Sequence, residues 1–321
     1  MLYDARAHEP LVDDPWNAER ARAGIRAIAA DAVAAADPRT LWPAAEWDAW
    51  MTEAPLANLY VGAAGVVWAL DVLRRTGHAD VDLDLGLLAR RALARFRERS
   101  DYGAWPVPVP THAAASLWLG EPGILLVAWK LDPSPDLADA LLARVRENID
   151  DDADDVMWGT AGTMLAAQAL REWTGDERWA DARRASAAAV LGRRGDDGLW
   201  KQHLYGESFQ GLSASHGFAG VVQALARTGE RVVDAGEVAA RHVIVEDGLA
   251  NWPDAAGREL RSRDGEIRLQ WDTGHPGSSR RSAIRSRRSS RSRQASSYGA
   301  PGPCARGRCS ATAPPGTASP S

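Results

Sequence analysis

The chain has 321 residues, of which 45% are hydrophobic, and a formal net charge of −5 at pH 7. These values fit one large or two small globular domains and exclude an overall basic field that would draw nucleic acid to the surface. No apolar run approaches the roughly 18 residues of a membrane span, and the opening MLYDARAHEP lacks the charged-then-apolar order of a signal peptide.

Residues 16–36 are alanine-rich with spaced apolar positions, which predicts a first helix. A loop containing Pro38, Pro43 and Pro55 follows, then a glycine motif and a helix, VWALDVLRR, that Gly77 should end. A helix is predicted over 85–99 and a proline-rich loop over 101–112. Helices over about 117–131 and 136–149 are separated by DPSPD, and those over 163–173 and 177–194 by Thr174-Gly175-Asp176-Glu177. A loop, GDDGLWKQHLYGES, leads to helices over about 218–228 and 231–243, and residues 247–266 are turn-rich. No segment alternates at period two for long, so strands should be minor.

A repeat runs through this order. Gly-x-x-Gly followed by an apolar helical run occurs at Gly62/Gly65, Gly120/Gly123, Gly159/Gly162 and Gly217/Gly220. A fifth version, Gly274/Gly277, has no apolar helix behind it. The intervals between first glycines are 58, 39, 58 and 57 residues, and a second helix fits into each. Such periods indicate an array of helix pairs, each too small to bury its own face. The fourth motif, SASHGFAG, sets His216 against the start of a helix, where the positive end of the helix dipole favours a neutral imidazole. That is one way to prepare a proton acceptor, and also what a packed loop histidine looks like.

The character of the chain changes after Asp272. Residues 278–321 are Arg/Ser-rich and then Pro/Gly/Ser-rich, a composition too poor in apolar residues to fold. A basic tail of this kind can bind nucleic acid or an acidic partner, but a shifted reading frame accounts for it better. If a gene encodes Asp-His-Gly-Ala-Pro-Gly-Ile-Val as GAC CAC GGG GCA CCC GGG ATC GTC, loss of one C yields Asp-Thr-Gly-His-Pro-Gly-Ser-Ser. Those are residues 272–279. The expected organisation is therefore a folded domain over 1–277 and a disordered, out-of-frame tail over 278–321. No role in nucleic-acid binding is assigned to it. Both cysteines, Cys304 and Cys309, lie in that tail, and a body without thiols fits a reducing cytoplasm most simply.

The recurring glycine motifs, HGFAG, and RLQWD before Gly-x-Pro-Gly together resemble the lanthionine synthetase C-like (LanC-like) family over residues 58–277. The resemblance implies an all-α fold, an α/α toroid of seven helix pairs with the glycine motifs at the starts of the inner helices. Five motifs are present, so the toroid is expected to be incomplete. It also implies an activity: addition of a cysteine or glutathione thiol to a dehydroalanine or dehydrobutyrine, with zinc lowering the thiol pKa and an acid/base protonating the resulting enolate. A peptide substrate or a small thiol would be the partner, with a dehydratase acting beforehand. His216 matches the acid/base histidine, Asp155 an active-site aspartate, and Arg268 and Trp271 an Arg-x-x-Trp-Cys segment in which arginine stabilises an enolate oxygen. Asp272 stands where that segment has its zinc cysteine, and the family's Cys-His-Gly ligand pair has no counterpart. One carboxylate does not make a three-ligand site, so zinc, and with it cyclase activity, is expected to be absent.

Simpler readings stand beside these. Asp155 closes an acidic run that can be a solvated turn, Arg268 can be a surface charge, and Trp271 can be packing. Two other function classes share the architecture. One is a carbohydrate enzyme on an (α/α)6 barrel, with two of Asp151, Asp155 and Glu207 as its carboxylates; the other is a non-catalytic peptide-binding scaffold.

Overall fold

Helices carry nearly all of the architecture in the computed structural model, which describes residues 14–44, 54–103, 108–246, 248–260 and Trp271. The proposed tail and the boundary at 277 lie outside the described residues. All of the described residues fall within one compact unit, Met1–Ser286.

The first helix, α1 (Ala18–Ala34), is capped by Asn17, whose side chain accepts from the Arg20 amide. It buries only Ala29 fully. Then come α2 (Ala63–Arg75), α3 (Leu85–Glu98), α4 (Glu121–Leu131), α5 (Pro135–Glu147), α6 (Thr160–Thr174), α7 (Glu177–Gly192), α8 (Phe218–Arg227) and α9 (Ala235–Arg241). Two hairpins interrupt the helices: β1 (Gln202–Leu204) with β2 (Glu207–Phe209), and β3 (Ile244–Glu246) with β4 (Leu249–Asn251), both antiparallel. The first hairpin falls in a stretch expected to be loop. Its strands are three residues long, too short for an alternating pattern to show. The helix over 231–243 contracts to α9, and α4 begins at Glu121 because the residues before Gly120 form its entry loop.

The helices lie in two rows. The even-numbered helices α2, α4, α6 and α8 pack against one another in sequence, while α3 covers α2 and α4, α5 covers α4 and α6, and α7 covers α5 and α6. Burial follows this division. Every residue of α4 from Glu121 to Leu125 is buried, as in a helix with neighbours on most sides. In α3 only a stripe, Leu85, Leu88, Ala89, Ala92, Leu93 and Phe96, turns inward. Gly77 (φ 70°) and Gly175 (φ 73°) end α2 and α6 in the left-handed conformation that suits glycine.

The motif glycines have a different reason to be glycine. Gly62, Gly120, Gly159 and Gly217 are the N-caps of α2, α4, α6 and α8, none with positive φ in the left-handed range. A Cβ on the second glycine of each motif would lie 2.3 Å (Gly65), 2.3 Å (Gly123), 2.2 Å (Gly162) or 1.9 Å (Gly220) from a carbonyl oxygen of the entry loop: Leu59, Leu117, Val156 and Ala214 respectively. Each of these carbonyls stands six residues before its glycine. The same glycines seat one loop on the previous one: a Cβ on Gly123 would meet the Leu59 Cβ at 2.7 Å, and one on Gly220 would meet the Val156 Cγ2 at 2.9 Å. Backbone bonds extend the row: the Tyr60 amide donates to the Trp118 carbonyl (3.0 Å), and the Val156 amide to that of Ser215 (3.0 Å). All four entry loops thus form one face at the N-terminal ends of the even-numbered helices.

Candidate functional site

Each entry loop carries a buried polar residue four positions before its first glycine: Asn58, Ser116, Asp155 and Ser213. In three of them the side chain closes a turn by accepting an amide three residues on. Asn58 Oδ1 accepts from Val61 (2.9 Å), Asp155 Oδ1 from Trp158 (2.7 Å), and Ser213 Oγ from His216 (3.1 Å). Ser116 Oγ instead donates to the Ala113 carbonyl (2.8 Å). Asp155 Oδ1 also accepts from the Gly159 amide (3.0 Å). This position is structural throughout the repeat.

Asp155 does something more. Its second oxygen, Oδ2, lies 2.6 Å from His216 Nδ1, which joins the loops of the third and fourth motifs. The Asp155 side chain is fully buried, whereas that of His216 retains 15% exposure. Where the carboxylate is ionised it can only accept, which puts the proton on Nδ1 and leaves the lone pair on Nε2. An aspartate that fixes an imidazole's tautomer and a histidine that reaches solvent have the geometry of an acid/base pair with its orienting group.

The loop that carries Asp155 is braced from several directions. Arg193 Nε donates to Asp154 Oδ1 (2.6 Å), Nη1 to the Ile149 carbonyl (2.9 Å) and Nη2 to Thr160 Oγ1 (3.0 Å). Gln202 Nε2 donates to the Asp154 carbonyl (2.9 Å), and Asn148 Nδ2 to that of Trp158 (3.0 Å). These bonds hold Asp154 at φ 47°, a strained value for a residue with a side chain. Burial raises the Asp154 carboxyl to about 6 against the pull of Arg193. It raises Asp151 to about 6 as well, with Asp155 and Asp152 adding to the shift. Asp151 Oδ1 accepts from the Ala153 amide (2.8 Å), and its Oδ2 has no hydrogen-bond partner among the described residues.

Of the residues expected at the site, Asp155 and His216 are brought together, while Arg268 and Asp272 lie outside the described residues, as do Cys304 and Cys309. Trp271 connects to the same face: its carbonyl accepts from the Ser215 amide (3.2 Å), and its ring lies 5.8 Å from that of Trp118 and 6.1 Å from that of Tyr60. Glu207 is exposed on β2 and pairs with Arg258 at 3.2 Å. Three residues escaped the sequence reading: Arg193, Trp158 and Tyr205. A Tyr-Gly dipeptide between short polar stretches was the only signal for Tyr205, and it is weak because tyrosine seldom occupies a hairpin turn of this kind.

A zinc site needs three or four donors around one point. Among the described residues no three His, Cys, Asp or Glu side chains are placed to hold a metal, and the Asp155–His216 pair offers a single free donor, Nε2. Asp272, the position where the resemblance places a zinc ligand, lies outside the described residues. None of the described helices is long and apolar enough to cross a membrane. No protein-family model matches the chain, and no curated protein matches it.

Proposed function

We propose that the chain is a LanC-like α/α toroid protein, incomplete at about five of seven units, which retains the proton-transfer half of thiol addition to a dehydroamino acid. The observation that carries this reading is the 2.6 Å contact between Asp155 and His216, at the two motif positions where the family resemblance expects catalytic residues. The two-row packing of helix pairs supports the toroid reading, since successive pairs stacked this way curve into a ring in closed arrays.

His216 Nε2 takes the proton of a thiol as the sulfur bonds to the Cβ of a dehydroalanine in a peptide. The alkene π electrons move onto the carbonyl oxygen as an enolate, and the same Nε2–H then protonates Cα to give the thioether. Asp155 holds the ring in place and stabilises the imidazolium formed in between. Zinc activation of the thiol, which a full cyclase would supply, is not assigned to this chain.

The test is to incubate the purified chain with a dehydroalanine peptide and glutathione in the presence of a chelator, and to follow adduct formation by mass spectrometry. General acid–base catalysis predicts an acceleration of about 10²-fold over the protein-free reaction, lost in His216→Ala. Equal rates with and without protein would overturn the proposal. Metal analysis of the same preparation is expected to find no stoichiometric zinc; finding it would return thiol activation to a metal.

A further inference from the structure

We infer that Tyr205, at the tip of the β1–β2 hairpin, is a positioning residue that sets the ring of His216. The inference rests on the proton-transfer role proposed for His216. A single hydrogen bond at Nδ1 fixes one corner of an imidazole but leaves the ring free to swing about the bond, carrying Nε2 with it. A second contact on the ring removes that freedom, and Tyr205 supplies it: the two rings meet at 84° with centroids 5.8 Å apart, the edge-to-face geometry that aromatic pairs favour.

Tyr205 is itself held from the other side. Its hydroxyl oxygen accepts from the indole Nε1 of Trp158 at 2.8 Å, and the two rings lie at 76° with centroids 6.4 Å apart. Trp158 is the residue whose amide binds Asp155 Oδ1. The contacts therefore close a circuit, Asp155 to His216 to Tyr205 to Trp158 and back to Asp155. The hairpin is tied to the aspartate loop as well. The His203 amide donates to the Asp152 carbonyl (3.2 Å), Gln202 bridges Asp154 and Gly211, and Leu204 is buried with Met157 and Trp158.

The backbone points the same way. Tyr205 and Gly206 form the two-residue turn with φ 56° and 81°, both positive as a type I′ turn requires. Asparagine or glycine would occupy the first position with less strain. A tyrosine there keeps a ring against His216.

The test uses the full chain with 15N-labelled histidine and two variants. Tyr205→Asn suits the turn and removes the ring; Tyr205→Phe keeps the ring and removes the hydroxyl. In the wild type, the His216 Nδ1–H should give a protected proton resonance bonded to Asp155. Tyr205→Asn is expected to broaden that resonance by exchange and to lower kcat for thiol addition at least tenfold at unchanged KM, while Tyr205→Phe restores most of both. If Tyr205→Asn leaves the resonance intact, the positioning role is overturned, whether or not the rate falls; a fall would then mean that Tyr205 meets the substrate directly. A Tyr205→Phe variant as impaired as Tyr205→Asn would overturn the ring contact as the cause. The resonance reads the ring without any turnover, so an inactive wild type would sink the proposed function and still leave this inference tested.

Discussion

At Asp155 one carboxylate meets two demands that the other loops keep apart. Oδ1 closes the turn that Asn58 and Ser213 close in their own loops, and Oδ2 holds His216. The two roles separate by substitution. Asp155→Asn keeps an acceptor for the Trp158 amide and loses the charge, so its thermal midpoint should stay near that of the wild type while thiol addition falls at least about 10²-fold. Asp155→Ala leaves two buried amides unpaired and should also cost on the order of 2 kcal/mol of stability. Equal activity of Asp155→Asn and wild type would leave the aspartate a turn residue only. Asp151 offers a pH test. Burial raises its carboxyl to about 6, above the roughly 3.9 of an unfolded chain. The folded state then binds more protons than the unfolded state between about pH 4 and 6. Stability is therefore highest below that window and falls as pH rises through it, by on the order of 3 kcal/mol for this group. Asp151→Asn should flatten the pH dependence of the urea midpoint over that window and stabilise the protein at pH 7. An unchanged slope would show that Asp151 is not the group responsible.

Among the elements, the four motif helices start where backbone approaches backbone, and that decides which glycines can change. In Gly220→Ala the new Cβ would sit 1.9 Å from the Ala214 carbonyl oxygen, so loop or helix must move; overpacking of this kind costs roughly 1–3 kcal/mol or more. Gly24, inside α1, has nothing within 4 Å of its Cβ position, and Gly24→Ala should stabilise by up to about 1 kcal/mol through helix propensity. Denaturant unfolding of the pair checks both signs. Glu121 links three helices: it is buried at the start of α4 and accepts from Arg97 of α3 (2.5 Å) and Arg144 of α5 (2.6 Å). Removing it takes the ion-pair partner from the half-exposed Arg97, whereas Arg144 keeps Glu147 (2.6 Å), and Glu121→Ala is expected to cost on the order of 1 kcal/mol.

For the molecule as a whole, protection should follow the two rows. The even-numbered helices α4 and α6 are buried along most of their lengths, and α1 buries only Ala29 fully. Native-state hydrogen exchange is therefore expected to be slowest in α4 and α6 and fastest among the helices in α1. Comparable protection in α1 would mean that it packs more tightly than its burial indicates. The core divides in a related way. One buried cluster runs from Ala29 through α2–α7 to Ala182, a second joins α6–α9, and a third, with Leu119, Met157, Trp158 and Leu204, lies under the loop face. The third cluster couples the hairpin to the site, because Leu204 and Trp158 share it.

The helix pairs and their starts were legible in the sequence, because apolar periodicity and paired glycines report local geometry and close approach. His216 and Asp155 were legible singly, each from its place relative to a glycine. Their pairing was not, since the two are 61 residues apart and no local rule states which oxygen of a turn aspartate is left over. The packing of one loop on the next decides that, by bringing the third and fourth motifs within hydrogen-bond distance. Tyr205 and Arg193 were hidden for the same reason: a three-residue strand has no period to detect, and an arginine at the end of a helix reads as a surface charge until a loop folds over it. Apolar periodicity and glycine spacing along the chain specify a repeated helix pair that starts close to its neighbour. That a buried turn carboxylate, a half-open histidine and a hairpin tyrosine share one point follows from the folded packing, because contacts between separate repeats exist only once the repeats are stacked.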